Sequence, residues 1–276
     1  MTLRPAWSEA FHPGRLTSIR PLPLPQQING EWAWGGSTGA GVTVAVVDSG
    51  VESGHPRVGR VDGWASFTLD PEAPGGVSCD ESPHDDLVGH GTACAAIVRS
   101  LAPDCRLLSV RVLGDRLTGR GTVFAAGLRW AIASGAQVVN CSLSSGKAEA
   151  KAMFHDIADQ AHFAGTLLVC AVNNVPGGSF PATFASVVSV AAHDGRDPQR
   201  YDANPAPPVD FGAPGIDVEV AWRGGGTITT TGNSFAAPHV AGHAARVLGK
   251  HPGLTPYELK TVLRACAANA DPTLTT

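Results

Sequence analysis

The chain is poor in charge and in long apolar runs, and each shortage excludes something. Charged residues make up 16% of its 276 positions against 43% hydrophobic. That balance rules out a disordered polyelectrolyte and leaves ample material for a large core. The formal net charge is −4 and no basic block occurs, so nothing points to a nucleic-acid partner. Glycine and polar residues interrupt every apolar run before the roughly 18 residues that a membrane span requires. Six cysteines (Cys79, Cys94, Cys105, Cys141, Cys170 and Cys266) include no CxxC spacing, which removes the usual zinc and dithiol signatures. Neither an internal repeat nor a second domain is visible, and the length suits one α/β unit.

What is present is a βα rhythm. VTVAVVD, RLLSVRVL, QVVNCSL, TLLVCAV and SVVSVAA read as strands, and helices are expected after His90, Gly121, Lys147 and Ser234. A last helix is announced by Thr255-Pro256-Tyr257-Glu258, a capping-box spacing with proline at the first helical position. Alternating elements with β-branched strands predict an α/β fold whose mostly parallel central sheet is covered by helices on both faces. In such sheets functional groups gather at strand ends and helix starts.

Three segments place reactive side chains at those positions. In TGNSFAAPHVAG, Ser234 opens an alanine-rich helix, where unpaired N–H groups and the positive end of the helix dipole suit a developing oxyanion. Pro238 falls in the first turns, where a missing N–H costs little. Asp48 closes the strand of VTVAVVDSGVESGHP, and His90 sits between two glycines in DLVGHGTACAAI. Taken singly, each has a plain structural reading: a serine cap, a strand-end turn residue, a histidine in a structural hydrogen bond. Together, in the order Asp48, His90, Ser234, they match the order of subtilisin's triad.

On these motifs the chain resembles the subtilisin-type serine proteases, the subtilases, from about Ile28 to Ala268. The resemblance implies a three-layer subtilisin-like fold and a serine endopeptidase acting through an acyl-enzyme. His90 is then the base and later the acid, Asp48 holds its tautomer, and Ser234 is the nucleophile. An oxyanion donor is expected after the strand TLLVCAV, at Asn174, with Asn173 on the glycine that lines the family's primary specificity pocket; a register shifted by one puts the donor at Asn173. The family holds an extended peptide as an added strand between two backbone edges. Here they correspond to Arg116-Leu117-Thr118-Gly119 and Ser142-Leu143-Ser144-Ser145, with serines where the family has two glycines.

No cofactor and no metal site is expected, because the segment between His90 and Val112 is too short for the family's calcium loop. An acidic run, Asp80, Glu81, Asp85 and Asp86, reads as a cation site, a partner for a basic substrate residue, or a solvated loop. Residues 1–27 read as a proline-rich extension containing RPLPLPQQ, either packed, disordered or lying across the cleft as an inhibitor, and 28–276 as the catalytic domain. MTLRPAWSEAFHPGRL has no apolar leader region. With the cysteines, that predicts a cytoplasmic protein of reduced thiols. Cys94 matches a cysteine found beside the catalytic histidine in thiol-containing subtilases. Two other functions stay open: a maturation protease cutting one peptide precursor, and an inactive scaffold that binds peptides.

Overall fold

The computed structural model describes residues 24–25 and 27–270. Almost all of the proline-rich extension therefore lies outside the described residues, although Leu24 and Ile28 pack against the core. A short helix α1 (Gly30–Trp34), capped by Asn29, precedes the first strand.

A nine-stranded sheet runs through the molecule. Its strands are β1 (Thr43–Asp48), β2 (Gly63–Leu69), β3 (Val77–Asp80), β4 (Arg106–Arg111), β5 (Val138–Cys141), β6 (Leu167–Ala171), β7 (Val188–His193), β8 (Asp202–Ala203) and β9 (Phe211–Pro214). Their order is β3-β2-β4-β1-β5-β6-β7-β9-β8. All pairings are parallel except β2 with β3 and β8 with β9, at the two edges. A separate hairpin joins β10 (Val218–Trp222) to β11 (Gly226–Thr230).

The helices are α2 (His90–Leu101), α3 (Gly121–Ala133), α4 (Lys151–Phe163), α5 (Asn233–Lys250) and α6 (Pro256–Ala265). The fourth starts at Lys151 because a 3₁₀ turn, Ala148–Ala150, follows Lys147. Thr255 and Glu258 close the expected capping box. No helix among the described residues is long and apolar enough to cross a membrane.

Strand β1 is buried at every position, as a central parallel strand covered on both faces must be. Its side chains alternate between two cores. Val44 and Val46 join the layer holding α2 and α5, while Ala45 and Val47 join the layer holding α3 and α4. Strands β5 and β6 divide the same way, Val138 and Val169 to one side, Val139 and Leu168 to the other. Three layers result, as the alternation of elements implies.

Two helices of one layer pack closely enough to need glycine. A Cβ added at Gly242 of α5 would lie 2.8 Å from Leu101 Cβ and 2.9 Å from Leu101 Cδ1 of α2. These helices begin at Asn233 and His90, so their contact helps set the spacing between the two helix starts. Gly242→Ala should lower stability by about 1–3 kcal/mol, the usual cost of overpacking, measured by urea denaturation. An unchanged midpoint would show that the helices have room to part.

Candidate active site

Asp48 ends β1 with no solvent exposure. A buried carboxylate is costly unless it is paired and hydrogen-bonded, and here both conditions are met. Its Oδ1 accepts from the Ser49 N–H at 2.7 Å, and its two oxygens lie 2.8 and 2.9 Å from His90 Nδ1. The Cys94 sulfur, one turn along α2, lies 3.8 Å from Oδ2, but its one proton has a nearer acceptor in Ser142 Oγ at 3.2 Å. Helix α2 approaches this closely because residue 91 is glycine. A Cβ there would lie 2.0 Å from the Gly50 carbonyl oxygen and 3.0 Å from Asp48 Cβ.

A second buried carboxylate braces the first. Asp86 Oδ1 accepts from Ser49 Oγ (2.7 Å) and Val88 N–H (2.9 Å), and its Oδ2 from the N–H (2.8 Å) and hydroxyl (2.7 Å) of Thr92. It therefore ties the turn after β1 to the first turn of α2, where negative charge also suits the helix dipole. Burial splits the acidic run: Asp80, Glu81 and Asp85 are exposed, as in a solvated loop, and Asp86 is not. Asp86 is buried structure, Asp80 caps its own turn through Ser82 N–H (2.9 Å), and Glu81 accepts from Trp130 Nε1 (2.7 Å). The carboxylates do not converge. Among the described residues, the grouping of His, Cys, Asp and Glu atoms close enough to share an ion is Asp48, His90 and Cys94. Helix α2 and β4 are joined by Ala102–Cys105 alone.

Burial disfavours the charged form of His90, but the Asp48 carboxylate beside it, its hydrogen bond, and the charge of Asp86 outweigh that. The imidazole is held above its ordinary value. Burial, reinforced by the same carboxylates, pushes the Cys94 thiol well above its ordinary range.

Ser234 is the second residue of α5. Its carbonyl would normally accept from the residue four positions on, but that residue is Pro238, which has no N–H. Proline here has a consequence that the first-turn expectation missed: a helix carbonyl loses its partner. Ser142 supplies one, donating its hydroxyl to Ser234 O at 2.7 Å. The Ser142 oxygen in turn accepts from Asn140 Nδ2 (3.0 Å) and the Cys94 thiol (3.2 Å). Its one donor and two acceptor positions are thereby filled. Ser234 Oγ donates back to the Ser142 carbonyl at 3.0 Å.

Asn233, which the motif reading passed over, locks the same helix start. Its Oδ1 accepts from Ala192 N–H (2.8 Å), and its Nδ2 donates to the carbonyls of Val172 and Asn173 (both 3.1 Å). An asparagine at a helix start was the available signal. The tandem Asn173-Asn174 divides its work. Asn173 Oδ1 accepts from Ser144 Oγ (2.7 Å), and its amide donates to the Gly178 carbonyl. Asn174 Oδ1 accepts from the Asn233 N–H (2.9 Å), which leaves its Nδ2 on the side of Gly232, at the mouth of the cleft.

His90, Ser234, Asn173 and Asn174 line one cavity of about 270 Å³ with Ser142 and Ser144. A second, of about 320 Å³, continues from it between Leu117-Thr118-Gly119 and Leu143-Ser144-Ser145. The two expected edges thus face one another across a groove. Arg116 lies on the first edge without lining either cavity. Ser145 is partly committed, since its backbone exchanges hydrogen bonds with Phe180 (2.8 and 2.9 Å). The hydroxyls of Ser144 and Ser145 are also occupied, the latter by Lys147 N–H (3.3 Å).

The model of the subtilase family matches residues 39–275. Alkaline elastase YaB from Bacillus sp. (strain YaB) is 34% identical over 245 residues, covering 85% of this chain and 61% of its own length. A subtilisin from Bacillus pumilus is 31% identical over 247 residues, covering 84% and 86%. The chain thus spans about three-fifths of the first relative and most of the second. A solved structure described as a cold adapted subtilisin-like serine proteinase superposes with a TM-score of 0.67 at 28% identity, covering 91% of each chain.

The environment of His90 can be tested without any assay of activity. By NMR its imidazole should titrate above 6.5. In Asp48→Asn the same ring should titrate below that value, because burial, the largest influence, remains and of the charges that oppose it only the weaker one of Asp86 is left. An unchanged titration would remove Asp48 as the controlling group.

Proposed function

This chain belongs to the subtilase family, and we propose that it is a serine endopeptidase working through an acyl-enzyme on Ser234. The observation that carries this reading is the meeting, on one cleft, of a paired Asp48–His90 and a helix-start serine. Ser234 Oγ leaves the Ser142 carbonyl and attacks the peptide carbonyl carbon, and its proton passes to His90 Nε2. The imidazolium so formed is stabilised by Asp48, which is already hydrogen-bonded to the other ring nitrogen. The carbonyl oxygen becomes an oxyanion facing Asn174 Nδ2 and the Ser234 N–H, one of the donors that a helix start leaves unpaired. The carbon–nitrogen bond then breaks, and His90 returns the proton to the leaving amine. Water repeats the sequence on the acyl-enzyme, releasing the acid and restoring Ser234.

Substrate is an extended peptide or protein segment held between the edges at 117–119 and 142–144. Asn173, bridged to Ser144 and Gly178, fills part of the wall beside Ser234 and favours small side chains there. A reducing, cytoplasmic address fits the six cysteines, all of which are free thiols.

A fluorophosphonate probe should label the wild type at Ser234 and fail on Ser234→Ala. Activity should rise with pH through an apparent pKa above 6.5, since only neutral imidazole accepts the proton. Asn174→Ala should lower turnover about 10²–10³-fold, the usual loss for one oxyanion donor, with a nearly unchanged Michaelis constant. Labelling that persists in Ser234→Ala would overturn the assignment, as would a turnover loss in Asn173→Ala alone.

A further inference from the structure

The second cavity of the groove carries a charge that the first does not. Its apolar lining combines buried Leu113 and Phe124 with the more exposed Leu117 and Leu143, and Arg120 and Lys147 stand exposed at its rim. No acidic residue lines it. Both basic residues are exposed, and among the described residues neither is held in an ion pair. A third cavity, of about 480 Å³, shares Arg120 and Lys147 and adds Glu149 as its one carboxylate. Positive charge therefore exceeds negative along this stretch, although the whole chain is net negative at −4. The cavity beside Ser234 has no charged lining residue other than the titratable His90.

We infer that Arg120 and Lys147 select peptides with a glutamate upstream of the scissile bond. This inference rests on the peptidase reading above. The residue whose carbonyl is attacked occupies the cavity beside Ser234. The chain before it runs on between the same edges into the second cavity, which shares Leu113, Leu117, Leu143 and Ser144 with the first. An apolar lining with a cationic rim matches a side chain with a methylene stem and a carboxylate end. Glutamate fits both parts. Aspartate has one methylene fewer to lay on the apolar lining, and lysine places like charges together. Arg120 and Lys147 act here as specificity residues, by long-range attraction and by charge-assisted hydrogen bonds to the carboxylate.

The test is a set of peptides that differ at one position, walked along both sides of the cut, carrying glutamate, glutamine or lysine. At one upstream position kcat/KM should favour glutamate over its isostere glutamine by about two- to tenfold, the range for one or two exposed ion pairs. The ratio should fall toward one in 0.5 M salt, since at such ionic strength the Debye length is only a few ångströms. Arg120→Gln combined with Lys147→Gln should bring the ratio to one, and Lys147→Glu should shift preference toward lysine. Equal cleavage of all three peptides, or a glutamate preference confined to the leaving-group side, overturns the inference and leaves the peptidase reading standing. Cleavage of none, together with no labelling of Ser234, overturns both.

Discussion

A carboxylate with no exposed surface is the constraint around which this molecule is arranged. Asp48 stands at the end of a strand buried on both faces, where an unpaired charge would be strongly destabilising. The imidazole of His90 and the Ser49 N–H supply its partners, and both must arrive from the turn after β1 or from α2. Their arrival depends on Gly91, which lets the helix touch the strand end, and on Asp86, which ties the turn to the helix. The same pairing holds His90 above its ordinary pKa despite burial. Structural satisfaction of Asp48 and the raised pKa of His90 are thus one interaction seen from two sides.

The other half of the site is governed by a missing donor. Pro238 leaves the Ser234 carbonyl without its helical partner, and the Ser142 hydroxyl takes the vacant place. This binds the start of α5 to the end of β5, while Asn233 binds it to the strand ends of β6 and β7. A helix start that would otherwise fray is fixed against three adjacent parallel strands. In the peptidase reading proposed above, this fixing lets donors meet developing charge without reorganising. It also sets the far wall of the groove, since Ser142 begins the edge that leads through Ser144 toward Lys147.

Much of this was legible in the chain because the central strands are uninterrupted apolar runs and the helices have clear starts. β1, β4, β5, β6 and β7 lie where β-branched runs place them, and α6 follows its capping box. The strands not marked by such runs, β2, β3 and β8 to β11, are the outer two at each end of the sheet or lie in the hairpin, where strands are short or only partly buried and any periodic pattern is weak. The positions of Asp48, His90 and Ser234 were visible as motifs because each sits at a strand end or helix start. The roles of Ser142, Asn233 and Asp86 were not. Each depends on where a short polar side chain points across segments distant in sequence, which no local spacing encodes. Pro238 shows the limit best: its position was plain, but the cost of its absent N–H is borne by Ser234 and met by Ser142, far away along the chain.

The central claim is that these groups form a preorganised acyl-transfer site, with Ser234 free to leave the Ser142 carbonyl and Asn174 placed to receive an oxyanion. A crystal structure of the chain reacted with a peptidyl fluorophosphonate tests it most directly. The expected result is a bond from Ser234 Oγ to phosphorus, His90 hydrogen-bonded at the leaving-group side, and a non-bridging oxygen about 2.7–3.1 Å from Asn174 Nδ2 and the Ser234 N–H. A non-bridging oxygen held by Asn173 instead, or an unreacted Ser234 still donating to Ser142, would contradict it.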